Sequence, residues 1–497
     1  MQIRLAILLG LWLTAICTSR AQELPPLPDG QRLLVWVQSV DGNGGELALM
    51  GGGPTQAVLP LSSSASSAAL CGAQATSPNG RYVAFSVTDG RTTNLYQMID
   101  ASPRLTILSN NINPMTCTVG VQYDPDSARV GYLMWPSPNV SGLEPTARLL
   151  IHNAENLALV GNFENVADFD MTRGGATFVT MFRNAQNEYV EVGINTWDGT
   201  STREVATLVA DQGNRCVYTS ASVASISPTR LAVTVGFRCR RGNTTTQYQI
   251  YSVDTEARVA VLLLQGQAKT QFLPNARTNQ VIVAPNGQSI FQLLPDNLRT
   301  DSGVLIEMPL AAPVERVLLS GAVQMPQAGR PAVNGLPTLS LDERWLALVV
   351  NDANNNATLY AYDMNAPALP PIFVPSSSRG NRFTGLQFTA DSGTLFYLAG
   401  TPESNAAFAL NLTTGVSSRL ARGRFNLDAA AVSPFTPTVA LVDSRTLADG
   451  QPRYDALVMV DLNTGTLTDL LIGANLAEGR VRERLTLVPI AWRKSAE

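Results

Sequence analysis

The sequence predicts an all-β fold made of short antiparallel strands joined by tight turns. The 497 residues include 38 glycines and 30 prolines, the residue types that form reverse turns. Only 15% of the residues are charged, below the roughly 25% of an average globular protein, and the long Glu/Lys/Ala-rich stretches of helical bundles are missing. A turn-and-strand pattern also recurs along the chain, with a period of roughly 45 to 57 residues.

Each copy of this pattern begins with a turn of Ser or Thr, Pro, Asp or Asn, and Gly, and continues into an apolar strand. The clearest copy runs over residues 77–85 and leads to a second strand at residues 94–100. Pro fixes φ and Gly supplies a positive φ, so the turn reverses the chain between two strands. Further copies begin at Asp124, Ser227, Leu341, Thr389 and Ser433, and weaker ones lie near Pro28, Thr172 and Pro285.

The repeat predicts a β-propeller. Its period accommodates a four-stranded antiparallel sheet, and one such sheet cannot bury both of its faces alone. Radial packing of successive sheets buries them, which predicts a single propeller of four-stranded blades over residues 22–497. We expect eight blades, within a range of seven to nine. The strand after Gly30 and the strand that ends at Trp492 are expected to pair and close the propeller, because this removes a free edge.

The repeat also resembles a known one. The pattern Ser-Pro-Asp/Asn-Gly-x-x-Val/Leu-Ala-Phe, followed by Leu-Tyr-x-x-Asp, is similar to the WD40-like (PD40) repeat of TolB-type propellers. The same repeat occurs in the propeller domains of prolyl-oligopeptidase-like proteins. The resemblance covers residues 28–492 and is strongest in the copy at Ser77. It implies a fold and no single activity, because propellers carry many unrelated functions.

The first residues predict export. Residues 1–4 form a short basic region, and residues 6–16 form an apolar region too short to span a bilayer. Small residues before position 22 predict a signal peptide over residues 1–21, cleaved after Ala21. A retained anchor and a lipoprotein modified at Cys17 are the alternatives. We therefore expect a bacterial extracytoplasmic protein, periplasmic, secreted or on the cell surface, with no transmembrane segment after cleavage.

Charge and cysteine content restrict the partners and cofactors. Cleavage would remove Arg4 and Arg20 from 35 basic residues, leaving 33 against 39 acidic ones, a net charge of −6. No basic run follows a phosphate backbone, so a nucleic-acid partner is not expected. The remaining cysteines are Cys71, Cys117, Cys216 and Cys239. Two disulfides, Cys71–Cys117 and Cys216–Cys239, are favoured among three possible pairings, and buried free thiols are the alternative.

No catalytic motif is visible. The single histidine, His152, is expected to be structural, because neither a G-x-S-x-G elbow nor an α/β-hydrolase half accompanies it. No metal or cofactor motif is found. Residues 351–356 are interpreted as a hairpin tip in preference to a calcium loop, and residues 389–396 as a blade turn in preference to a sialidase Asp box. Asp168 and Asp170 are paired acids whose carboxylate separation the sequence does not give.

These observations predict a non-enzymatic protein-binding or scaffold module. The expected contact loops are residues 136–146, 237–246 and 376–382, since loops concentrate recognition. The first alternative is a propeller-type polysaccharide lyase or a glycoside or peptide hydrolase. A cluster of Asp, Glu, Arg and Tyr at the mouth of one channel would favour it, and a channel lined by Ser, Thr and Ala would disfavour it. The second is a structural component of the cell envelope. The sequence leaves the oligomeric state open.

Overall fold

The fold is described from a computed structural model. It covers the following residues: 27, 30–39, 45–51, 56–60, 69–88, 93–100, 105–112, 121–134, 146–241, 246–267, 281–295, 303–311, 316–323, 338–351, 356–376, 381–446, 453–477 and 480–494. These residues form strands, turns and bends, and no helix occurs among them. Accordingly, no helix in this part of the chain is long and apolar enough to cross a membrane.

The strands are numbered in chain order. They are β1 (Gln31–Ser39), β2 (Gly45–Met50), β3 (Gln56–Pro60), β4 (Ala69–Thr76), β5 (Tyr82–Thr88), β6 (Thr93–Ile99), β7 (Leu105–Ile112), β8 (Gln122–Tyr123), β9 (Arg129–Met134), β10 (Ala147–Asn153), β11 (Leu159–Thr172), β12 (Gly175–Arg183), β13 (Tyr189–Trp197), β14 (Thr202–Val209), β15 (Cys216–Ser227), β16 (Arg230–Cys239), β17 (Thr246–Asp254) and β18 (Val259–Gln267). The second half has β19 (Val281–Val283), β20 (Ser289–Pro295), β21 (Gly303–Pro309), β22 (Arg316–Val323), β23 (Thr338–Leu339), β24 (Trp345–Asn351), β25 (Ala357–Asp363), β26 (Ile372–Pro375), β27 (Arg382–Phe388), β28 (Thr394–Thr401), β29 (Ser404–Asn411), β30 (Ser417–Gly423), β31 (Phe425–Val432), β32 (Thr438–Arg445), β33 (Tyr454–Asp461), β34 (Leu467–Ala477) and β35 (Arg480–Lys494).

Sequential strands pair antiparallel into six sheets. Three sheets have four strands each: β4–β7, β15–β18 and β27–β30. The three larger sheets join two such groups, in the orders β8 to β14, β19 to β26, and β3-β2-β1-β35-β34-β33-β32-β31. The all-β architecture of four-stranded antiparallel groups is the predicted one and is consistent with a β-propeller. No sheet closes on itself among the described strands, so blade number and closure stay predictions.

The chain divides into two units. One unit contains Met1–Ala68, Met98–Leu105 and Gln387–Glu497, and the other contains Ala69–Gln97 and Thr106–Leu386. In the first unit the N-terminal strand β1 pairs antiparallel with the C-terminal strand β35, with Leu33 opposite Trp492. The register shifts next to Pro489, which has no N–H to donate to the ladder. The indole of Trp492 is buried and donates to the carbonyl of Ala431 at 2.8 Å.

The middle strands of the sheets form the core. In β16 seven consecutive residues are buried, and β12 begins with seven buried residues. Outer strands such as β14 are mostly exposed. Middle strands are therefore buried on both faces, which explains why they are continuous apolar runs in the sequence. One cluster packs Ile194 of the β8–β14 sheet together with Val223 and Val233 of the β15–β18 sheet, so these sheets stack face to face.

The predicted repeat turn is present in five described copies. The backbone N–H of the fourth turn residue donates to the carbonyl of the first: Gly80 to Ser77, Ser127 to Asp124, Gly287 to Ala284, Glu343 to Ser340, and Ser392 to Thr389. The fourth residue has a positive φ in every copy. In three copies the hydroxyl of the first residue also accepts from the backbone N–H five positions later: Ser77, Ser340 and Thr389. The turn thus supplies its own hydrogen bonds.

Side chains bridge strands that do not pair through their backbones. Gln387 on β27 donates from Nε2 to the carbonyl of Ala430 at 2.7 Å and accepts from the N–H of Val432 at 2.8 Å. Gln122 on β8 bridges β11 in the same way, through the carbonyl of Phe169 and the N–H of Met171. Each amide therefore satisfies one donor and one acceptor of the neighbouring strand.

Candidate active site

Two acids of β11 occupy a bridging position of this kind. Asp168 and Asp170 are two residues apart, so their side chains leave the same face of the strand. The Oδ2 atom of Asp168 accepts from the N–H of Val223 at 3.1 Å, and that of Asp170 accepts from the N–H of Ser225 at 2.8 Å. Both carboxylates are half-buried. The structure therefore brings the paired acids together on β15, where carboxylates replace the amide found in the other bridges.

A third acid comes from a repeat turn. Glu343 is the fourth residue of the turn before β24 and has a φ of 57°. The other four copies have Gly or Ser at this position, residues that tolerate or suit a left-handed backbone. A long ionisable side chain at a left-handed position is uncommon, and such strain concentrates at functional sites. The charge of Asp170 acts on Glu343, so the acids of β11 and of this turn belong to one site.

The surroundings disfavour ionisation of this pair. Burial raises the pKa of Asp170, more than the hydrogen bonds from Ser225 lower it. Desolvation also raises the pKa of Glu343, and the negative charges of Asp170 and Asp342 raise it further. Glu343 is nevertheless accessible to water. The side chain of Glu343 is therefore open to a ligand from solvent, although the surrounding protein disfavours its charge.

The arginines that lie near these acids in the sequence form ion pairs with other residues. Arg173 forms an ion pair with Asp126, with Nε 3.2 Å from Oδ1. Arg344 pairs with Asp363, with Nη2 2.6 Å from Oδ2. Neither guanidinium is therefore held by Asp170 or Glu343. The negative charge of Asp170 therefore still raises the pKa of Glu343, which disfavours the state in which both groups are ionised.

The residues around the pair include both acids and small residues. Asp168, Asp170 and Glu343 supply acids. The facing strand β15 supplies Ser, Thr and Ala, with Ser225 directly on Asp170. Among the described residues no group of three or more His, Cys, Asp or Glu could hold a metal ion.

The side chain of the single histidine, His152, is hydrogen-bonded to residues other than these acids. Nδ1 of His152 is 2.9 Å from the carbonyl of Leu157, and Nε2 is 3.2 Å from the hydroxyl of Tyr132. Its ring stacks on Tyr132 with the ring centres 5.7 Å apart. A carbonyl only accepts hydrogen bonds, so Nδ1 carries the proton. Both nitrogens and one face of the ring are thus engaged, by Tyr132 of β9 and by Leu157 in the turn between β10 and β11.

The other sequence candidates fall as follows. Cys216 and Cys239 form a disulfide between directly opposed residues of β15 and β16, which confirms that pairing. Cys117 lies outside the described residues, so the pairing of Cys71 with Cys117 stays a prediction. The proposed sialidase box at residues 389–396 is a copy of the repeat turn. Residues 352–355 and most of the three proposed contact loops lie outside the described residues, as does the predicted signal peptide.

The sequence analysis named Asp168 and Asp170 as paired acids without giving them a role, and it did not single out Glu343. The sequence does contain an indication: residues 340–344 read Ser-Leu-Asp-Glu-Arg, and Glu stands where the other turns have Gly or Ser. Aligning the turn copies by their fourth residue would have singled it out.

Comparisons with known proteins give structural neighbours and no match in sequence. No family model matches the chain, and no curated protein sequence matches it. Porphyromonas gingivalis dipeptidyl peptidase 4 is similar in structure at 12% identity and a TM-score of 0.47, with 82% of this chain covering 60% of that one. An oligogalacturonate lyase in complex with manganese has 12% identity and a TM-score of 0.39, covering 66% and 90% of the two chains. A prolyl endopeptidase has 11% identity and a TM-score of 0.41, covering 97% and 66%.

These neighbours are β-propeller proteins, consistent with a propeller, and the chain spans less than two thirds of the length of the dipeptidyl peptidase. They also correct one expectation. We predicted a non-enzymatic binding or scaffold module, whereas these three similar structures are two peptidases and a lyase. They agree better with the alternative of a propeller hydrolase or lyase, and the prediction that the chain is not an enzyme is withdrawn.

Proposed function

We propose that this chain hydrolyses glycosidic bonds, with Asp170 and Glu343 as its acid–base pair. One observation supports this most directly: two carboxyl groups from separate elements, Asp170 of β11 and Glu343 of the turn before β24, each have a pKa raised by desolvation, and the charge of Asp170 raises the pKa of Glu343 further. Two carboxyl groups are the usual machinery of glycoside hydrolysis. Pairs whose surroundings favour one proton between them can serve as a general acid and a general base.

The environments of the two groups suggest their roles. Burial favours the neutral form of Asp170, so Asp170 keeps the proton and donates it to the leaving oxygen of the glycosidic bond, while the N–H of Ser225 holds its carboxyl group in place. Glu343 is exposed to water and reaches the same region from the turn, so it takes the role of the ionised partner. Hydrolysis then transfers the proton of Asp170 to the oxygen of the departing sugar. A water molecule supplies the hydroxyl group of the new reducing end, and Glu343 accepts the proton that this water loses.

The same features argue against the other enzymatic alternatives. A lyase acting on acidic polysaccharides must hold a uronate carboxylate, which two adjacent carboxyl groups repel. The neighbouring Arg173 and Arg344 are already paired with Asp126 and Asp363. A serine peptidase needs a histidine base beside its nucleophile, and both nitrogens of His152 are engaged. A neutral polysaccharide or oligosaccharide fits the site best.

The proposal is tested with the purified chain from Gln22 onward. Release of reducing ends is measured on neutral polysaccharides (β-glucan, xylan, galactomannan and amylose) and on polygalacturonate, where unsaturated products are also followed. We expect hydrolysis of a neutral polymer and a loss of at least about 100-fold in kcat/KM for Asp170→Asn, the usual contribution of a general acid. Asp168→Asn is the matched control, because it bridges the same strand and keeps an acceptor for Val223.

Two results would overturn the proposal. One is hydrolysis that Asp170→Asn and Glu343→Gln leave intact. The other is the absence of hydrolysis of every neutral polymer while polygalacturonate yields unsaturated products, which would favour the lyase.

We also make three proposals about the architecture and location of the chain. We propose that the sheets are blades of one propeller domain over residues 22–497, built from the WD40-like repeat of TolB-type propellers. We also propose that the chain acts outside the cytoplasm. The disulfide between Cys216 and Cys239 supports this location, since disulfides persist in oxidising compartments.

A further inference from the structure

A groove of about 750 Å³ lies in the unit that does not contain Asp170 and Glu343. Its walls are the turns at the same end of two neighbouring sheets, β27–β30 and the group β31–β34. Nine of its nineteen lining residues are Thr, Ser or Asn, and the others include one carboxylate, one guanidinium and one aromatic ring: Asp391, Arg419 and Phe435. The groove therefore offers hydroxyl and amide groups along its length and a charged group of each sign.

The two charged groups of the groove are open to a ligand. Arg419 is exposed on β30, and its guanidinium forms no ion pair or hydrogen bond with any other residue in the described part of the chain. The Oδ1 atom of Asp391 is held by the hydroxyl of Thr389 at 2.6 Å and the N–H of Gly393 at 3.0 Å. These bonds lower the pKa of Asp391, so the carboxylate stays ionised. Its Oδ2 atom accepts no hydrogen bond from another described residue.

The aromatic ring is fixed in place. Phe435 is half-buried and packs against the core cluster that contains Leu33 and Trp492, while its remaining surface lines the groove. Its backbone N–H donates to the hydroxyl of Ser433 at 3.1 Å. A rigid aromatic face beside polar groups suits a ligand with both an apolar face and many hydroxyl groups.

The floor of the groove is closely packed. The turn at Gly465 has a φ of 72°, and a Cβ atom there would lie 2.6 Å from the carbonyl oxygen of Leu420. Only glycine allows the turn to approach β30 so closely. The groove is thus a built feature of the two sheets.

We infer that this groove binds a segment of a neutral polysaccharide, as a site separate from the catalytic pair. The apolar face of a sugar ring would lie against Phe435, and its hydroxyl groups would donate to Asp391 and accept from Arg419. The opposite charges of these two residues balance, which suits an uncharged ligand. The inference rests on the proposed function only for the choice of a polysaccharide as ligand.

Binding is measured apart from catalysis. In the Asp170→Asn background, the protein is run through native gels that contain β-glucan, xylan, galactomannan or amylose, and Kd is obtained by titration calorimetry. We expect retardation by at least one polymer. Arg419→Ala and Phe435→Leu should each weaken binding by about tenfold, the equivalent of one lost charged hydrogen bond or stacking contact. Leucine retains much of the core packing of Phe435.

Arg422→Ala is the matched control, because Arg422 is also exposed on β30 but does not line the groove. It should bind like the parent. Binding by none of the four polymers, or equal loss in the Arg422 and Arg419 variants, would refute the inference, as would groove-dependent binding of a peptide mixture alone. Retardation without hydrolysis by the wild-type chain would contradict only the proposed function. Hydrolysis with unchanged binding by the groove variants would contradict only this inference.

Discussion

The carboxylate of Asp170 accepts a hydrogen bond from the backbone N–H of Ser225 at 2.8 Å, and this bond fixes a candidate acid at the junction of β11 and β15. At the equivalent junctions Gln122 and Gln387 use both halves of an amide. An amide serves the strand equally well and carries no charge. A carboxylate at β11 is therefore not required for bridging. What distinguishes it from an amide is that it can bind and release a proton.

Asp170→Asn should be more stable than the wild type at neutral pH. The raised pKa of Asp170 means that its neutral form is favoured in the folded state. Its contribution is most favourable below the ordinary pKa of 3.8 and is lost as the pH rises from there through the raised value. Asparagine keeps an acceptor for Ser225 without this loss. Unfolding midpoints in urea between pH 4 and 8 check the prediction, and a constant difference between the two proteins would contradict it.

Glu343→Gly should reduce hydrolysis and leave the fold as stable as before or more stable. A left-handed backbone destabilises the folded state by about 1–2 kcal/mol for a residue with a Cβ atom. Glycine avoids this strain but loses about 0.5–1 kcal/mol more chain entropy on folding. Glu343→Gln keeps the strained backbone and removes only the charge. Both variants should lose activity, and only the glycine variant should gain up to about 1 kcal/mol from the backbone. Thermal unfolding and kcat/KM are measured together; full activity in either variant would exclude Glu343 from the pair.

Gln387→Met should destabilise the chain by about 2 kcal/mol, because the carbonyl of Ala430 and the N–H of Val432 both lose their partner. Methionine has a similar length, so packing changes little. Gln186→Met, at an exposed turn position, is the control and should leave unfolding in urea unchanged. Equal stability of the two variants would show that the bridge contributes nothing.

Loss of the Cys216–Cys239 disulfide should cost about 3 kcal/mol, from the chain entropy of the loop that it closes. The two residues are 23 positions apart in the sequence and lie opposite each other on β15 and β16. Peptide mapping under non-reducing conditions should recover them as one linked pair. The double variant Cys216→Ser/Cys239→Ser, unfolded in urea, gives the energetic effect. A free thiol at either position in the native protein would contradict the assignment.

The repeat turn could be predicted because its determinants are local. In Ser77–Gly80 the first hydroxyl, the Pro and the Gly each act within five residues of one another, and the structure has the same hydrogen bonds in copies with different residues. The continuous apolar middle strands were recognisable for a related reason, since burial on both faces leaves a run with no polar gap. The disulfide between Cys216 and Cys239 was favoured among three pairings, and the structure joins these two cysteines across one hairpin.

The sequence by itself therefore determined the all-β class, the repeat, the turns and one disulfide, because these depend on neighbours along the chain. Tertiary structure alone decided that Asp170 meets the N–H of Ser225 and the charge of Glu343, residues separated from it by 55 and 173 positions. It also decided that Arg419 and Phe435 line one groove. Contacts between sheets depend on how apolar faces stack, and stacking is nearly independent of the surface side chains that it brings together.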